Sequence, residues 1–420
     1  MLRFSDSCRL GIALALLGAR ATHAQHAGHE APAAEGDRPP TPAAHMMLQA
    51  IPLLTHASPS AGGVPITQFA FTQVVLMASA EFWQRHGAVD AAFDAEGLTM
   101  GDGELATGAY GEGFVDRRHP HAYLHQLMLS GQGARGLASW SASVGRGFAP
   151  FGTDDPMVRP IAKFPINHHL AQILERGVGI AALRLGRIIV EGATFGGDEP
   201  ATPSSLPRIS RFGDSWSARA TVLPHASTEL QASYARVASP EELAGGGLDQ
   251  RKRSISARAE SPGGGRYLLA EWARTVERDH RRDRAAFAYE SALAEAAVHV
   301  GELGVSLRIE QSERPEEDRL LDAFRTPRPS RDLSINGITR WRAATLALVA
   351  PAVTQGAIAG YPFVELATHS AHARDSRSLF TPERLYGTSH FWMLTGGVRI
   401  RAGHPHARMG RYGVANSTGH

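Results

Sequence analysis

The amino-acid sequence predicts an all-β fold: a single antiparallel β-barrel that crosses a membrane with about 16 strands (roughly 14 to 18). Three observations predict it. Polar and apolar residues alternate with a period of two over many segments. The connections between these segments alternate between short turns and long loops. An apolar run near the N-terminus has the features of an export signal.

The composition excludes membrane-spanning helices. The 420 residues are 43% hydrophobic and 20% charged, with a formal net charge of +2. Such a length usually corresponds to two or three soluble domains, although the charged fraction lies below the roughly 25% typical of soluble proteins. No stretch after residue 24 has 18 consecutive apolar residues, as a transmembrane helix requires. The near-neutral charge gives no reason to expect a nucleic-acid partner.

The N-terminal segment predicts export. Residues 1–24 combine a basic start, the apolar run LGIALALL and small residues before Gln25, as in a cleaved signal peptide. An N-terminal membrane anchor is the alternative. Residues 25–44, rich in Ala, Pro and His, are predicted to form a flexible leader. The single cysteine, Cys8, lies within the signal, so we expect no disulfide, thiolate metal site or thiol nucleophile in the mature chain.

The body of the chain has a polar and an apolar face. In WSARATV (216–222), Trp216, two alanines and Val222 share one face, whereas Arg219 lies between a serine and a threonine on the other. Successive side chains of a strand point to opposite faces, so this pattern predicts strands. The same alternation occurs at 137–146, 253–259, 304–311 and 391–401. Because a soluble β-sandwich would show it too, the connections must decide between the two folds.

The predicted strands follow one another in a regular order. They lie near residues 45–56, 66–82, 87–99, 121–130, 137–147, 177–185, 187–196, 214–223, 227–237, 251–260, 265–276, 285–297, 300–311, 331–348, 354–368 and 389–401. Segment 285–297 also has a helix-forming composition, which leaves a helix open there.

The connections alternate in length. Short ones are predicted at 83–86, 131–136, 186, 224–226, 261–264, 298–299 and 349–353, and long ones at 57–65, 100–120, 148–176, 197–213, 238–250, 277–284, 312–330 and 369–388. Short periplasmic turns and long extracellular loops that join antiparallel strands are typical of outer-membrane barrels. Such a sheet must close, because lipid offers no partner to backbone N–H and C=O groups. The barrel is therefore predicted over 45–401, with a C-terminal tail over 402–420 and both mature termini periplasmic.

Four ordered elements carry a family resemblance. VDRRHPHAYLHQL (115–127), RPIAKFPINHHLAQ (159–172), EGATFGGDEP (191–200) and YARVASPEEL (234–243) occur in this order. Together they resemble the Asp-Arg-Gln-His-Pro-His-Asp, Pro-Ile-Ser-His-His, Gly-Arg-Glu-Pro-Asp and Ser-Pro-Glu elements of a family of largely uncharacterised bacterial outer-membrane proteins. The resemblance covers about 45–401 and implies a β-barrel, with no established substrate.

The chain departs from that family pattern at three places. Ala122 stands where an Asp follows the His-Pro-His element. Leu174 and Glu175 stand where a Thr-His pair is usual, and Gly197 replaces an Arg. If these positions form a shared polar site in the family, this chain has lost part of it.

Two histidine clusters are candidate metal ligands. The first comprises His119 and His121, with His125 nearby, and the second comprises His168 and His169. Converging imidazoles bind Cu(II), Ni(II) or Zn(II), although this spacing prescribes no coordination geometry. The alternative is that the histidines hydrogen-bond to loop backbone and hold the loops in place.

The longest loop is the candidate for a pore constriction. Residues 148–176 combine Asp154 and Asp155 with Arg159 and Lys163. If the loop folds inward, these charges face arginines of the wall and set a weak ion preference. If it stays outside, the loop only caps the barrel. The wall residues predicted to line the pore are Arg219, Arg258, Arg308 and Arg399.

The leading functional hypothesis is a porin-like passive channel for small polar or ionic solutes, because about 16 strands can enclose an aqueous lumen. The alternatives are a metal-binding barrel and a structural barrel with a plugged lumen. No catalytic site and no cofactor are predicted, since no nucleophile-elbow, phosphate-loop or zinc-protease motif occurs. The expected partners are outer-membrane lipid, the barrel-assembly machinery and small solutes, and an oligomer is left open.

Overall fold

The computed structural model describes residues 44–416 except 60–62, 100–121, 154–155, 167, 201, 243, 262–264, 280–281, 283, 318–334, 377, 380 and 404–407. Its strands are β1 (Ala44–Ser58), β2 (Ile66–Phe82), β3 (Gly87–Asp94), β4 (Leu124–Arg135), β5 (Ala138–Gly147), β6 (Arg176–Leu185), β7 (Ile188–Phe195), β8 (Ser215–His225), β9 (Thr228–Val237), β10 (Asp249–Glu260), β11 (Arg266–Asp279), β12 (Arg284–Val300), β13 (Leu303–Glu317), β14 (Ile335–Val349), β15 (Val353–Gln355), β16 (Ile358–Ala373) and β17 (His390–Gly403).

The strands form one closed antiparallel barrel. Each pairs with its neighbours in the chain, and β1 also pairs with β17, which removes both sheet edges. β15 is a three-residue extension of β14 that pairs only with β16, while β14 pairs directly with β16. The circumference therefore counts 16 strands. The predicted all-β barrel is confirmed, and the segment at 285–297, where a helix was open, is part of β12.

Several predicted boundaries are wrong, for example the end of β3 and two of the short turns. The strand predicted at 87–99 ends at Asp94, because the chain turns into a short helix whose Glu96 bonds to the inner wall. The connection predicted at 131–136 lies instead at 136–137, since β4 continues to Arg135. The turn predicted at 349–353 lies at 356–357, where Gly356 has φ +60°.

The two faces of the sheet have opposite polarity. The inner face buries polar side chains such as Ser217, Arg219 and Thr221, each at most 2% exposed. The outer face presents large apolar side chains such as Trp216 and Val222, which are 46% and 41% exposed. This arrangement inverts that of a soluble protein, and it is the pattern of a wall with lipid outside and a polar interior.

Aromatic side chains mark both ends of the outer face. Phe69, Phe93 and Trp392 project outward at the end that carries the long loops, and Trp140 does so at the end with the short turns. Aromatic girdles of this kind lie at the two membrane interfaces of outer-membrane barrels.

The helices are short and belong to the segments that join or follow the strands. They are α1 (Glu96–Thr99), α2 (His168–Ala171) and α3 (Pro382–Tyr386), with 3-10 turns at Pro156–Val158, Ile209–Arg211 and Gly413–Ala415. Within the described part of the chain, no helix has the length and apolar character needed to cross a membrane.

Candidate functional site in the barrel lumen

The loop between β5 and β6 folds into the barrel. This inward loop, residues 148–175, buries apolar side chains against the inner wall, with Phe148, Phe151, Met157, Phe164 and Ile166 each at most 5% exposed. Of the two arrangements that the sequence left open, the loop therefore adopts the inward one and not the external cap.

One wall carboxylate holds the middle of the inward loop. The backbone N–H groups of Ala162 and Lys163 donate to Glu365 Oε1 and Oε2 at 2.6 Å and 3.2 Å. Glu365 lies on β16, on the far side of the lumen from β5, and is 3% exposed. Gln73 Nε2 of β2 donates to the Ala162 carbonyl at 3.2 Å. The loop thus crosses the lumen to β16 and is also held by the nearer strand β2.

A charged cluster on β12 and β13 holds the next residues. Arg308 Nη2 donates to the Lys163 carbonyl at 2.7 Å, and Ile166 N–H donates to Glu310 Oε2 at 2.7 Å. Arg308 also pairs with Glu295 at 3.2 Å and with Glu310 at 3.3 Å. Because a buried charge needs compensation, the two carboxylates offset the charge of this fully buried guanidinium, and the loop carbonyl accepts from it.

The first part of the inward loop contacts β11. Thr153 Oγ1 donates to Glu271 Oε2 at 2.5 Å, and Arg159 Nη2 lies 3.7 Å from the same oxygen. Both loop side chains are buried. The positive charge of Arg159 on the loop therefore lies next to the negative charge of Glu271 on the wall.

The chain after the last strand also enters the lumen. Residues 408–416, here called the lumen tail, follow β17 and bury Met409, Tyr412 and Val414 at 1%, 2% and 5% exposure. Phe148 N–H donates to Tyr412 Oη at 3.0 Å, and that hydroxyl donates to Gln126 Oε1 at 3.1 Å. Residues 408–416 of the predicted C-terminal tail thus form an internal segment that packs on the base of the inward loop.

Ion pairs fix the lumen tail to the wall. Arg219 forms a bidentate pair with Glu191 at 2.6 Å and 2.7 Å, and its Nη2 donates to the Gly410 carbonyl at 3.1 Å. Arg408 bonds to Glu229. Arg411 lies 3.9 Å from Glu191. Burial lowers the pKa of Arg411, and the nearby guanidinium groups of Arg219 and Arg408 lower it further. The carboxylates of Glu191 and Glu229 raise this pKa, but by less.

A polar junction joins three of the four sequence elements that carry the family resemblance. Glu175 Oε1 accepts hydrogen bonds from His125 Nδ1 at 2.7 Å and from Ala122 N–H at 2.9 Å. The next residue, Arg176, pairs with Glu199 at 2.9 Å, and Glu199 N–H donates to the Pro240 carbonyl at 3.2 Å. Two positions that depart from the family pattern, Ala122 and Glu175, are therefore in direct contact.

The structure gives a steric reason for a glycine at position 197. A Cβ atom at Gly197 would lie 2.1 Å from the Ala238 carbonyl oxygen. No side chain fits there without a backbone shift. Arg211 instead donates to the Ala238 carbonyl from Nη2 at 2.5 Å and to the Ser239 carbonyl from Nη1 at 3.1 Å.

The predicted wall arginines all project from the inner face. Arg219 and Arg308 are buried in the ion pairs described above. Arg258 is half-buried, bonds to Glu260 and lies 5.5 Å from the ring centroid of Tyr267. Arg399 is also half-buried and interacts electrostatically with Glu365 and Glu295. The loop acids of the prediction, Asp154 and Asp155, lie outside the described residues.

The histidine clusters are only partly visible. His119 and His121 lie outside the described residues, and for His168 and His169 the structure describes the α2 backbone but not the side chains. Among side chains that are described, no group of three or more His, Cys, Asp or Glu is placed to hold a metal ion. Metal binding by these four histidines remains a hypothesis.

Sequence reasoning missed the wall glutamates and the lumen tail. Glu191, Glu271, Glu310 and Glu365 occupy inner-face positions of predicted strands, so alternation could have placed them inside. Their pairing with the inward loop depends on contacts across the barrel, which the sequence does not encode locally. The tail carries Met409 and Tyr412 among arginines, a composition that suits burial more than a solvated end.

Comparison with known proteins places the fold. No protein-family model matches the sequence, and no curated protein does. The anion-selective porin from Comamonas acidovorans has 11% identity and a TM-score of 0.51 over 86% of this chain and 99% of that one. The channel DcaP of Acinetobacter baumannii has 8% identity and a TM-score of 0.49 over 86% of this chain and 96% of that one. Salmonella typhi OmpF has 9% identity and a TM-score of 0.48 over 85% of this chain and 97% of that one. The likeness to the Comamonas porin shows that this chain has the porin fold.

Proposed function

We propose that this protein is a passive, porin-like channel of the outer membrane for small polar or ionic solutes. The observation that carries the proposal is the inward loop, which crosses a polar lumen and is fixed to opposite strands by Glu365 and Arg308. A segment that narrows a polar barrel suits size-limited diffusion. The predicted signal peptide and the aromatic girdles support an outer-membrane location, with the short turns periplasmic.

The charges along the inward loop define the expected selectivity. Arg159 of the loop lies beside Glu271 of the wall, whereas Glu365 and Glu310 of the wall accept from backbone N–H groups of the loop. A solute in the lumen would meet charges of both signs within a short distance. We therefore expect weak selectivity between small cations and anions and a strong dependence on solute size.

Planar-bilayer recording tests the proposal. Purified, folded full-length protein should insert and give stepwise conductance in potassium chloride, with a small reversal potential under a salt gradient. Heat-dependent migration in SDS would verify that the barrel is folded in the same preparation. A folded barrel that gives no conductance in any salt, with the lumen tail either docked or released, would refute the channel proposal and leave the fold intact.

A second candidate function is a barrel whose lumen the tail keeps closed. The observation that favours it is the burial of Tyr412 and Arg411, which sit with the inward loop inside the same barrel. In that case the full-length protein is silent and a variant with a released tail conducts. The two candidates therefore differ in the full-length recording and agree in the released one.

A further inference from the structure

The outer wall carries an arginine cluster at one membrane interface. It comprises Arg236 of β9, Arg251 and Arg253 of β10, and Arg274 of β11. Along each strand these arginines alternate with buried, inward-facing residues such as Lys252, which is 5% exposed. The four arginine side chains therefore point away from the lumen. Arg251, Arg253 and Arg274 are exposed.

The strand register places like charges directly opposite each other. Arg251 lies opposite Arg236, and Arg253 lies opposite Arg274. Cross-strand neighbours on one face have Cβ atoms about 5 Å apart, and like charges there destabilise the sheet. Two such pairs on three adjacent strands concentrate positive charge in one small area of the wall.

The acids on this face compensate only part of that charge. Asp249 pairs with Arg236 at 2.8 Å, and Glu290 lies opposite Arg274 in the register. Arg253 lies 5.9 Å from the ring centroid of Tyr234. Arg251 and Arg274 form no hydrogen bond or ion pair with any residue that the structure describes. The cluster thus has four cations and two carboxylates.

The height of the cluster matches a lipid headgroup layer. Arg236 lies opposite Trp216 in the register, and Trp216 is 46% exposed on the outer face. The rings of Trp216 and Tyr234 are 5.3 Å apart and belong to the girdle at the long-loop end. Because aromatic girdles mark the interface, the guanidinium groups lie where phosphates of that leaflet lie. Guanidinium groups bind phosphate through paired, charge-assisted hydrogen bonds.

We propose that the arginine cluster binds the phosphate group of an anionic lipid in the leaflet at the long-loop end of the barrel. The lipid phosphate would supply the negative charge that the opposed arginine pairs lack. This inference rests on the proposed membrane location but not on channel activity, so silence in bilayer recordings would leave it standing.

Lipid titration of the full-length protein, followed by native mass spectrometry from non-ionic detergent, tests the proposal. Phosphatidic acid should bind more tightly than phosphatidylcholine. The double variant R251Q/R274Q should bind phosphatidic acid about twenty-five-fold more weakly, from about a five-fold contribution of each arginine. The matched control R135Q/R266Q removes two exposed outer arginines at the short-turn end and should leave the affinity unchanged.

Thermal unfolding separates lipid binding from a structural role. Without anionic lipid, R251Q/R274Q should be at least as stable as the wild type, because it loses like-charge repulsion and no internal bond. Phosphatidic acid should then raise the Tm of the wild type more than that of the variant. Equal binding of phosphatidic acid by variant and wild type, or equal binding of both lipids, would overturn the proposal. So would complete displacement of the lipid by equimolar inorganic phosphate, which would identify a site for free anions.

Discussion

The docking of the lumen tail gives the sharpest prediction, and Tyr412 is the residue to change. Its ring is 2% exposed, and its hydroxyl accepts from Phe148 N–H and donates to Gln126 Oε1. Tyr412→Phe removes both hydrogen bonds and leaves two buried partners unsatisfied. Tyr412→Ala removes the ring as well. The two variants therefore form a graded series at one position.

The structure sets the expected magnitudes. Two lost hydrogen bonds of about 0.5–1.5 kcal/mol each give about 1–3 kcal/mol for Tyr412→Phe. Truncation of a buried aromatic side chain costs about 3–5 kcal/mol, which applies to Tyr412→Ala. About 1.4 kcal/mol corresponds to a factor of ten in an equilibrium constant. The ratio of docked to undocked tail should therefore fall about tenfold in Tyr412→Phe and at least about a hundred-fold in Tyr412→Ala.

Limited trypsin digestion measures this ratio. Cleavage after Arg408 and Arg411 requires release of the tail, because Arg411 is 4% exposed. When docking is fast relative to cleavage, the rate follows the population of the open form. We expect slow removal of the C-terminal peptide in the wild type, a faster rate for Tyr412→Phe and the fastest for Tyr412→Ala.

An exposed aromatic residue provides the control. Trp83 is 78% exposed in a short turn, at the same end of the barrel from which the tail enters. Trp83→Ala should leave the cleavage rate at the wild-type value. If Tyr412→Ala keeps the heat-modifiable migration of a folded barrel but is cleaved no faster than the wild type, the docking described here is refuted.

Three further predictions concern the lumen and the histidines. Arg219→Gln or Glu191→Gln alone should lower the free energy of unfolding by about 3–5 kcal/mol, because each leaves a buried charge, whereas the double variant should recover most of the loss in a denaturant titration. Glu365→Gln weakens the acceptor of two loop N–H groups, so it should destabilise the inward loop by about 1.5–3 kcal/mol and add gating noise to single-channel records; unchanged noise would argue against the clamp. Calorimetry with Cu(II), Ni(II) and Zn(II) tests the metal hypothesis, which fails if metal affinity survives the substitution by Ala of His119, His121, His168 and His169.

The wall of the barrel could be predicted because its rules are local. Segment 216–222 shows this best: the period-two pattern places Arg219 inward and Trp216 outward, as the structure has them. Errors arose where local signals conflict with packing. Residues 95–99 have no pattern that distinguishes a strand end from a helix. The helix forms because the Glu96 carboxylate accepts hydrogen bonds from Thr72 and Gln73 of the wall.

The sequence by itself determined the class of fold, the strand count and the face on which each arginine lies, because these follow from the pleat and from the need to pair every backbone group in lipid. Only the tertiary structure decided what occupies the lumen. Ala162 and Lys163 of the inward loop bond to Glu365, which lies 203 and 202 residues further along the chain. Phe148 bonds to Tyr412, which lies 264 residues further along. Such contacts depend on barrel closure, which brings distant strands together across the lumen and leaves no periodic signal in the sequence.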